Sequence, residues 1–313
     1  MAKILITESV HPIGPELLTA AGHTVVYADR DMDVIRREIV DADAVLVRII
    51  ELPGSLLATA KNLKIVSKHG VGYDNIDLDY CKSHGIAVTI TPNANSLSVA
   101  EHAFTLMLTL AKNIIPVSNE YRTVGFAAKN HAPGIEMTGK TLGLIGMGRI
   151  GKHILHMCRD GLDMHVIVYD PYISEVPEGV EKVDDLSELL RRADVVTLHC
   201  LLTDETRKLI DRERLALMKP TALLINCARG PIVDEAALIE ALENGRLAGA
   251  GLDVTPSRSR RTARSLSCRT SLSRRTTRPQ RSNPPRAFPR SQPKTLTRCL
   301  PVKSRWAASS EQD

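Results

Sequence analysis

A chain of 313 residues, 43% hydrophobic and 25% charged, is long enough for two domains with real cores and has the balance of a soluble globular protein. No run approaches the ~18 apolar residues of a membrane span, and "MAKILITESV" lacks a basic segment leading into a long apolar one, so no membrane partner and a cytoplasmic location are expected. The net charge of +5 hides a split: residues 255–313 hold 13 Arg and 2 Lys against one Glu and one Asp, a net +13, which leaves −8 on the remainder and confines any nucleic-acid reading to the tail.

From the amino terminus, the runs "KILIT", "HTVVYA", "DAVLVR", "LKIVS" and "IAVTI" are rich in β-branched residues and predict strands. Segments with helical spacing, such as "PIGPELLTAAG" and "DVIRREIVDA", separate them, which predicts an open parallel α/β sheet. The long helical pattern "SVAEHAFTLMLTLAKNI" then crosses to a second domain, with the junction near Asn95 to Ser98. A second alternation follows. "TLGLIG", "HVIVYD", "DVVTLHC", "ALLINC" and "LAGAGLDV" predict strands, and "IGKHILHMCRD", "LSELLRRA", "DRERLALM" and "DEAALIEALENG" predict the helices between them. The fold class is therefore α/β with two doubly wound parallel-sheet domains, residues 1–97 and 98–254, followed by an Arg/Ser/Pro-rich tail, 255–313, predicted to be disordered.

The six cysteines, Cys81, Cys158, Cys200, Cys227, Cys268 and Cys299, form no CxxC pair and no His/Cys cluster, so reduced thiols are expected, several of them in predicted strands of the core, and no metal site. The strongest local motif lies in "KTLGLIGMGRIGKHILHMC": Gly146, Gly148 and Gly151 follow an apolar strand and open a helix. Gly146 permits the tight turn, Gly148 lets backbone approach a pyrophosphate, and Gly151 lets the helix pack on the strand, while the N–H groups at the helix start attract phosphate. Asp170, at the end of the next strand and 19 residues after Gly151, is placed to bond the adenosine ribose hydroxyls. A carboxylate there repels a 2′-phosphate, so the motif predicts NAD rather than NADP.

Four segments together, "KHGVGYDNID", "PNANSLSVAEHAFTLML", "GMGRIG" with "YDPY", and "INCARGPIVDEAALIEALENGRLAGAGLDV", resemble the D-isomer-specific 2-hydroxyacid dehydrogenases over residues 1–254. The resemblance implies a flavodoxin-like substrate domain, a Rossmann NAD domain, and hydride transfer between NAD(H) and a small 2-hydroxy or 2-oxo acid of the hydroxypyruvate, glyoxylate or 3-phosphoglycerate class. It implies that Arg229 holds the substrate carboxylate and polarises its carbonyl, a role that suits a permanently charged fork. A surface salt bridge is the alternative for Arg229, but it stands at the carboxyl end of a parallel strand, where such sheets bind ligands. Val71 and Gly72 would present backbone N–H groups to the carboxylate, with room at the glycine for the substrate. Arg149 and Ile150 would lie over the pyrophosphate, and Asp253 would bond the nicotinamide carboxamide with the Cys227–Ala228 backbone beside the ring. Thr206 and His199 would line the nicotinamide ribose side, although His199 reads equally as a structural histidine at a strand end. Arg48 could meet a phosphate at the distal end of the substrate, or be a solvated arginine at a strand end. The segment "NIIPVSNEYRTVGFAAKN" resembles the arm through which this family pairs, which implies a homodimer.

The resemblance stops at Val254. In the family a histidine in a Pro-His context, a few tens of residues after the Asp253 segment, protonates the substrate oxygen, and an acidic residue between the two orients it. Beyond Asp253 this sequence has no histidine, and its carboxylate side chains there are Glu311 and Asp313. All 19 glycines and all 10 histidines precede residue 255. This break predicts that the chain from about Thr255 onward derives from a shifted reading frame, and that the protein binds NADH yet reduces 2-oxo acids only feebly. His69 and His102 are the candidate substitutes for the missing acid. The competing expectation is a catalytically silent NAD-binding protein whose basic tail holds a polyanion non-specifically. A formate dehydrogenase is a third reading, disfavoured by the short substrate loop.

Overall fold

A computed structural model describes residues 1–130, 133–255 and 271–273, all within one compact unit. The chain first alternates β1 (Lys3–Ile6), α1 (Ile13–Ala20), β2 (Thr24–Tyr27), α2 (Met32–Glu38), β3 (Ala44–Val47), α3 (Gly54–Leu57), β4 (Ile65–Lys68), α4 (Leu78–Ser83) and β5 (Ala87–Thr89). The strands pair in the order β2-β1-β3-β4-β5, every pair parallel, which is the flavodoxin-like order with its reversal point between β1 and β3. Leu5, Val45, Val47 and Val66 bury against Ile35 of α2, Ile39 just past its end, Leu57 of α3 and Cys81 of α4. This packing is why the β-branched runs hold as strands.

Two helices, α5 (Ser96–Ala111) and α6 (Ile114–Val124), lead through a 3₁₀ turn, Gly125–Asn130, into the second sheet. It comprises β6 (Thr141–Ile145), α7 (Arg149–Leu162), β7 (His165–Tyr169), β8 (Val180–Lys182), α8 (Leu186–Arg192), β9 (Val195–Leu198), α9 (Arg212–Leu217), β10 (Leu223–Asn226), α10 (Glu235–Glu243) and β11 (Gly249–Leu252). The strand order is β11-β10-β9-β6-β7-β8, the Rossmann order, with its reversal between β6 and β9. A strand of the tail, β12 (Ser271–Ser273), pairs parallel with β11 and extends that edge. The rest of the tail, with the predictions made for it and with Cys268 and Cys299, lies outside the described residues.

Alternation decides the faces of the second sheet. Leu142, Leu144, Val166, Val168, Val195, Leu223 and Ile225 face one layer with α5 and α7. Ile145, Ile167, Val196, Leu198, Leu224, Ala250 and Leu252 face the opposite layer with α8, α9 and α10. Both faces are covered, as parallel strands require. Helix α5 is seated by Ala100, Ala103, Leu106, Met107 and Ala111, which are buried with this second sheet, so the helix that begins at Ser96 packs on the later domain. Its approach to β11 is close: a Cβ on Gly251 would lie 3.0 Å from Leu106 Cβ and 3.3 Å from Leu110 Cδ1. Among the described residues no helix is long and apolar enough to cross a membrane.

Half of the ten α-helix starts among the described residues are written in aspartates. Asp31, Asp77, Asp185, Asp211 and Asp234 each accept a backbone N–H of the first turn of α2, α4, α8, α9 and α10. The other five starts have no side-chain cap, and at α7 the capping residue, Gly148, has no side chain to offer.

The layer of α8 rests on Gly143 in mid-β6, where a Cβ would lie 2.5 Å from Leu189 Cδ2 and 2.9 Å from Ala193 Cβ. Gly143→Val is expected to overpack this contact and destabilise the protein by about 1–3 kcal/mol, read as a lower urea midpoint with an unchanged slope.

Candidate active site at the strand ends

At the end of β6 the chain turns through Gly146 with φ +89°, a conformation that favours glycine. The backbone also comes close here: a Cβ on Gly146 would lie 2.8 Å from Cys200 N and 2.9 Å from His199 C, so the loops after β6 and β9 meet at the reversal point. A Cβ on Gly151 would run into the Gly146 carbonyl oxygen, which explains the third glycine of the motif. Gly148 is the opposite case. Nothing lies within 4 Å of where its Cβ would be, and the first turn of α7, with exposed Arg149 and half-buried Ile150, has no side-chain cap. An uncapped helix start beside open space is a place for an anion to accept the orphan N–H groups.

Asp170 stands just past β7. Its Oδ2 accepts the Met147 N–H at 2.8 Å and its Oδ1 accepts the Tyr172 N–H at 3.0 Å, so the acid steadies the glycine loop. A carboxylate offers about four acceptor sites, which leaves capacity for a ribose diol. Uncapped helix, open glycine and terminal acid together fit a dinucleotide.

Past β9, His199 Nε2 pairs with the Thr197 hydroxyl at 2.8 Å, while Nδ1 is cut off from solvent without a hydrogen-bond partner. Burial pushes the imidazole down to about 4, so it is neutral at physiological pH. Thr206 donates to the Leu201 carbonyl at 2.6 Å and accepts the Thr203 N–H at 2.7 Å, which commits its hydroxyl to shaping the loop after β9. Cys158 lies in α7, as its helical pattern predicts, and Cys81 in α4, whereas Cys200 and Cys227, at the ends of runs predicted as strands, stand just beyond β9 and β10. All four are free thiols. Burial raises Cys200 to about 11 and Cys227 to about 12, so neither is a thiolate nucleophile.

The turn after β10 is built by buried Asn226, whose Oδ1 accepts the Ala228 N–H at 3.0 Å and whose Nδ2 donates to the Arg229 carbonyl at 2.9 Å. Arg229 then reaches to the first domain. Its Nε donates to Asp74 Oδ1 at 2.7 Å and its Nη1 to the Ala228 carbonyl at 2.8 Å. A Cβ on Gly72 would sit inside the Arg229 guanidinium. Gly72 therefore seats the arginine itself, where the sequence suggested room for substrate. Val71, half-buried, precedes it in the same loop. Asp253, past β11, donates its N–H to the Asn226 carbonyl at 3.0 Å, and its Oδ1 lies 3.4 Å from His102 Nε2 on α5. His69 is exposed on the loop after β4.

Sequence reasoning missed a buried charged network beneath this cleft. Glu8, its side chain wholly buried, accepts the N–H groups of Arg48 and Ile49 at 2.6 and 2.7 Å. Buried Lys68 donates to the Arg48 carbonyl and to Asn75 Oδ1, and Asn75 donates to the Ile50 carbonyl at 2.6 Å. Desolvation, then the charge of Arg229, hold the Lys68 amine below the usual lysine value. The Arg48 guanidinium donates to the Ser9 carbonyl at 3.0 Å. The available signal was a charge inside an apolar strand end, in "ITES" and "IVSKHG", although a solvated side chain leaves the same trace.

The sequence matches the family model described as D-isomer specific 2-hydroxyacid dehydrogenase, NAD binding domain, over residues 104–276. It is 43% identical over 258 residues to a D-3-phosphoglycerate dehydrogenase of Methanocaldococcus jannaschii, covering 81% of this chain and 49% of that protein. The chain spans about half the length of the first curated relatives it matches. A putative 2-hydroxyacid dehydrogenase of Staphylococcus saprophyticus is 35% identical, covering 81% of this chain and 82% of that one. Among solved structures, a D-lactate dehydrogenase from Aquifex aeolicus, complexed with NAD and lactic acid, superposes with a TM-score of 0.78 at 30% identity, covering 86% of this chain and 87% of the other.

The depressed His199 titration makes a prediction with a definite sign. Between about pH 6.5 and 4 the unfolded chain binds a proton that the folded chain refuses, so this group lowers folding stability as pH falls through that window. The His199 ring signal, assigned in an NMR spectrum by its loss in His199→Gln, is expected to remain that of a neutral imidazole at about pH 5.5, where an exposed histidine is mostly charged.

Proposed function

We propose, from the premise that this chain belongs to the D-isomer-specific 2-hydroxyacid dehydrogenase family, that it binds NAD(H) at the β6/β9 crevice and a small 2-oxo or 2-hydroxy acid against Arg229, with slow hydride exchange between them. The observation that carries this reading is the Arg229 guanidinium, fixed by Asp74 and by its seat over Gly72 at the carboxyl end of β10. A bidentate fork so held has its orientation set before the substrate arrives.

In this reading the N–H groups at the start of α7, from Gly148 through Arg149 and Ile150, take the pyrophosphate, and Asp170 takes the adenosine ribose. Asp253 accepts from the carboxamide, the Cys227–Ala228 backbone flanks the nicotinamide, and Thr206 and neutral His199 shape the ribose side. The reduced nicotinamide, when bound, supplies the hydride for the carbonyl carbon. Arg229 and the Val71 and Gly72 N–H groups hold the carboxylate, and the same guanidinium stabilises the negative charge that grows on the carbonyl oxygen. Arg48 and the cationic floor around Lys68 favour anionic substrates, in keeping with the phosphoglycerate and lactate enzymes among the relatives.

Protonation of that oxygen is the weak step. A positioned general acid contributes about 10²–10⁴-fold, and the sequence beyond Asp253 offers no histidine. His102 lies against Asp253, and His69 lies in the open. The alternative of a silent NAD-binding protein with a polyanion-binding tail draws on the net +13 of residues 255–313. We also infer a homodimer formed through α6, which exposes Ile114, Ile115, Tyr121 and Val124 beside Phe126.

Two measurements check these readings. NADH binding and NADH oxidation by hydroxypyruvate and glyoxylate, followed on one preparation, are expected to give clear binding with turnover near background. Fast turnover would refute the missing-acid account, and absence of binding would refute the cofactor site. Light scattering is expected to give a mass twice that of the 34.3 kDa chain, falling to one chain in Tyr121→Glu.

A further inference from the structure

Helix α5 crosses β11 in a register fixed by size. Leu106 and Leu110 lie over Gly251, whose missing side chain lets the helix down onto the strand. One turn before Leu106 the same helix face carries His102, and two residues beyond Gly251 the same strand face reaches Asp253. The two side chains are thereby brought together, with Nε2 3.4 Å from Oδ1. His102 Nε2 is cut off from solvent and has no full hydrogen bond, so the Asp253 carboxylate is the charge it faces. Both side chains are about a third exposed or less, at 34% and 27%, which places the pair at the rim of the cleft with Cys227 beneath it.

We propose that His102 is a positioning residue for the cofactor: its Nε2–H holds one oxygen of Asp253 so that the carboxylate meets the nicotinamide carboxamide in a single orientation. This rests on the reading that Asp253 accepts from that carboxamide. A carboxylate has acceptor sites enough for the imidazole, its own local contacts and an amide N–H together. The anchor also has a reason to come from α5 and not from the strand. Asp253 follows the last residue of β11, and its N–H to Asn226 fixes its backbone to the sheet. A rigid helix, pinned through Leu106 and Leu110, adds to the carboxylate a contact from outside its own strand, which narrows the orientations open to it. His102 touches no reacting atom in this arrangement. Its effect is on which nicotinamide side group the site prefers.

The test compares reduced NAD with its reduced 3-acetylpyridine analogue, which keeps the carbonyl but has a methyl group in place of the amide NH₂. The wild-type chain is expected to bind NADH more tightly than the analogue. His102→Leu should weaken NADH by about five- to tenfold and leave the analogue within about twofold, so that the preference collapses. His102→Gln, which keeps an N–H to donate, should restore most of it. A purely structural role would weaken both ligands together. Asp253→Ala serves as the reference. If it abolishes the preference while His102→Leu does not, the positioning role is wrong and the carboxamide reading stands. If Asp253→Ala leaves the preference intact, or NADH does not bind the wild-type chain, the carboxamide reading falls and this proposal with it.

Discussion

Parallel pairing is the constraint from which the rest of the architecture follows. Because β6, β7, β9, β10 and β11 all run the same way, their carboxyl ends open on one edge of the sheet. Gly146, Asp170, His199, Cys227 and Asp253 are each the first residue past one of those strands, or close to it, and so are neighbours in space despite wide separation in the chain. Such strands need covering on both faces, which draws α5 and α7 to one side and α8 to α10 to the other. That covering in turn puts the uncapped start of α7 at the same edge as the acid of β7. The site is a consequence of topology before any side chain contributes chemistry.

Burial then sorts the groups that the topology has collected. The same desolvation that keeps His199 neutral keeps the Cys200 and Cys227 thiols protonated and lowers the Lys68 amine. It weakens candidate bases, nucleophiles and acids alike, and leaves Arg229, which stays charged at any working pH, as the group best able to act on a substrate. Asp74 complements that charge, and the contact spans the two sheets. Glu8 does the corresponding work below, gathering the N–H groups of the Arg48 loop while Lys68 ties that loop to Asn75. Each of these buried charges is held by neutral partners, Glu8 by backbone N–H groups and Lys68 by a carbonyl and an amide oxygen, and rearranging the loop would strand a charge out of water.

How far the sequence discloses this depends on whether the signal is local. The strands of both sheets are readable because β-branched runs recur between helical patterns, and half of the helix starts because an aspartate precedes them. The glycine motif is readable from its spacing between strand and helix, although its steric reasons differ: Gly151 yields to the nearby Gly146 carbonyl, Gly146 to the distant His199–Cys200 backbone, and Gly148 faces open space. β8 was not visible, since "VEK" is a short edge strand with no alternation to show. Helices α3 and α4 hang on Asp77, which caps one and accepts the Gly54 N–H of the other, an arrangement that needs the fold to exist first. Asp74 lies 155 residues from Arg229, and nothing near either residue announces the pairing. Glu8 and Lys68 read as solvated charges because burial is a property of the layers around them. Gly72 is legible as a place that needs room, but the sequence cannot say that an arginine packs over it.

The pairing of His102 with Asp253 separates two meanings of a histidine near an active site. A proton donor must reach the developing oxygen, and its usefulness depends on an unshared N–H at that atom. An orienting group spends its N–H on another protein atom and cannot deliver it to substrate without losing what it holds. In the proposed role Nε2 is spent on Asp253, so His102 cannot both orient that carboxylate and stand in for a proton donor, and Asp253 in turn is tied to the Asn226 strand end that shapes the Arg229 turn. Among the described residues, the groups proposed to hold cofactor and anion therefore brace one another, whereas none within that brace is dedicated to proton delivery. Binding and turnover are separable properties of such a site, because the contacts proposed for cofactor and carboxylate act before the reaction begins, Arg229 adds only charge stabilisation at the growing oxyanion, and a proton donor acts on the transition state alone.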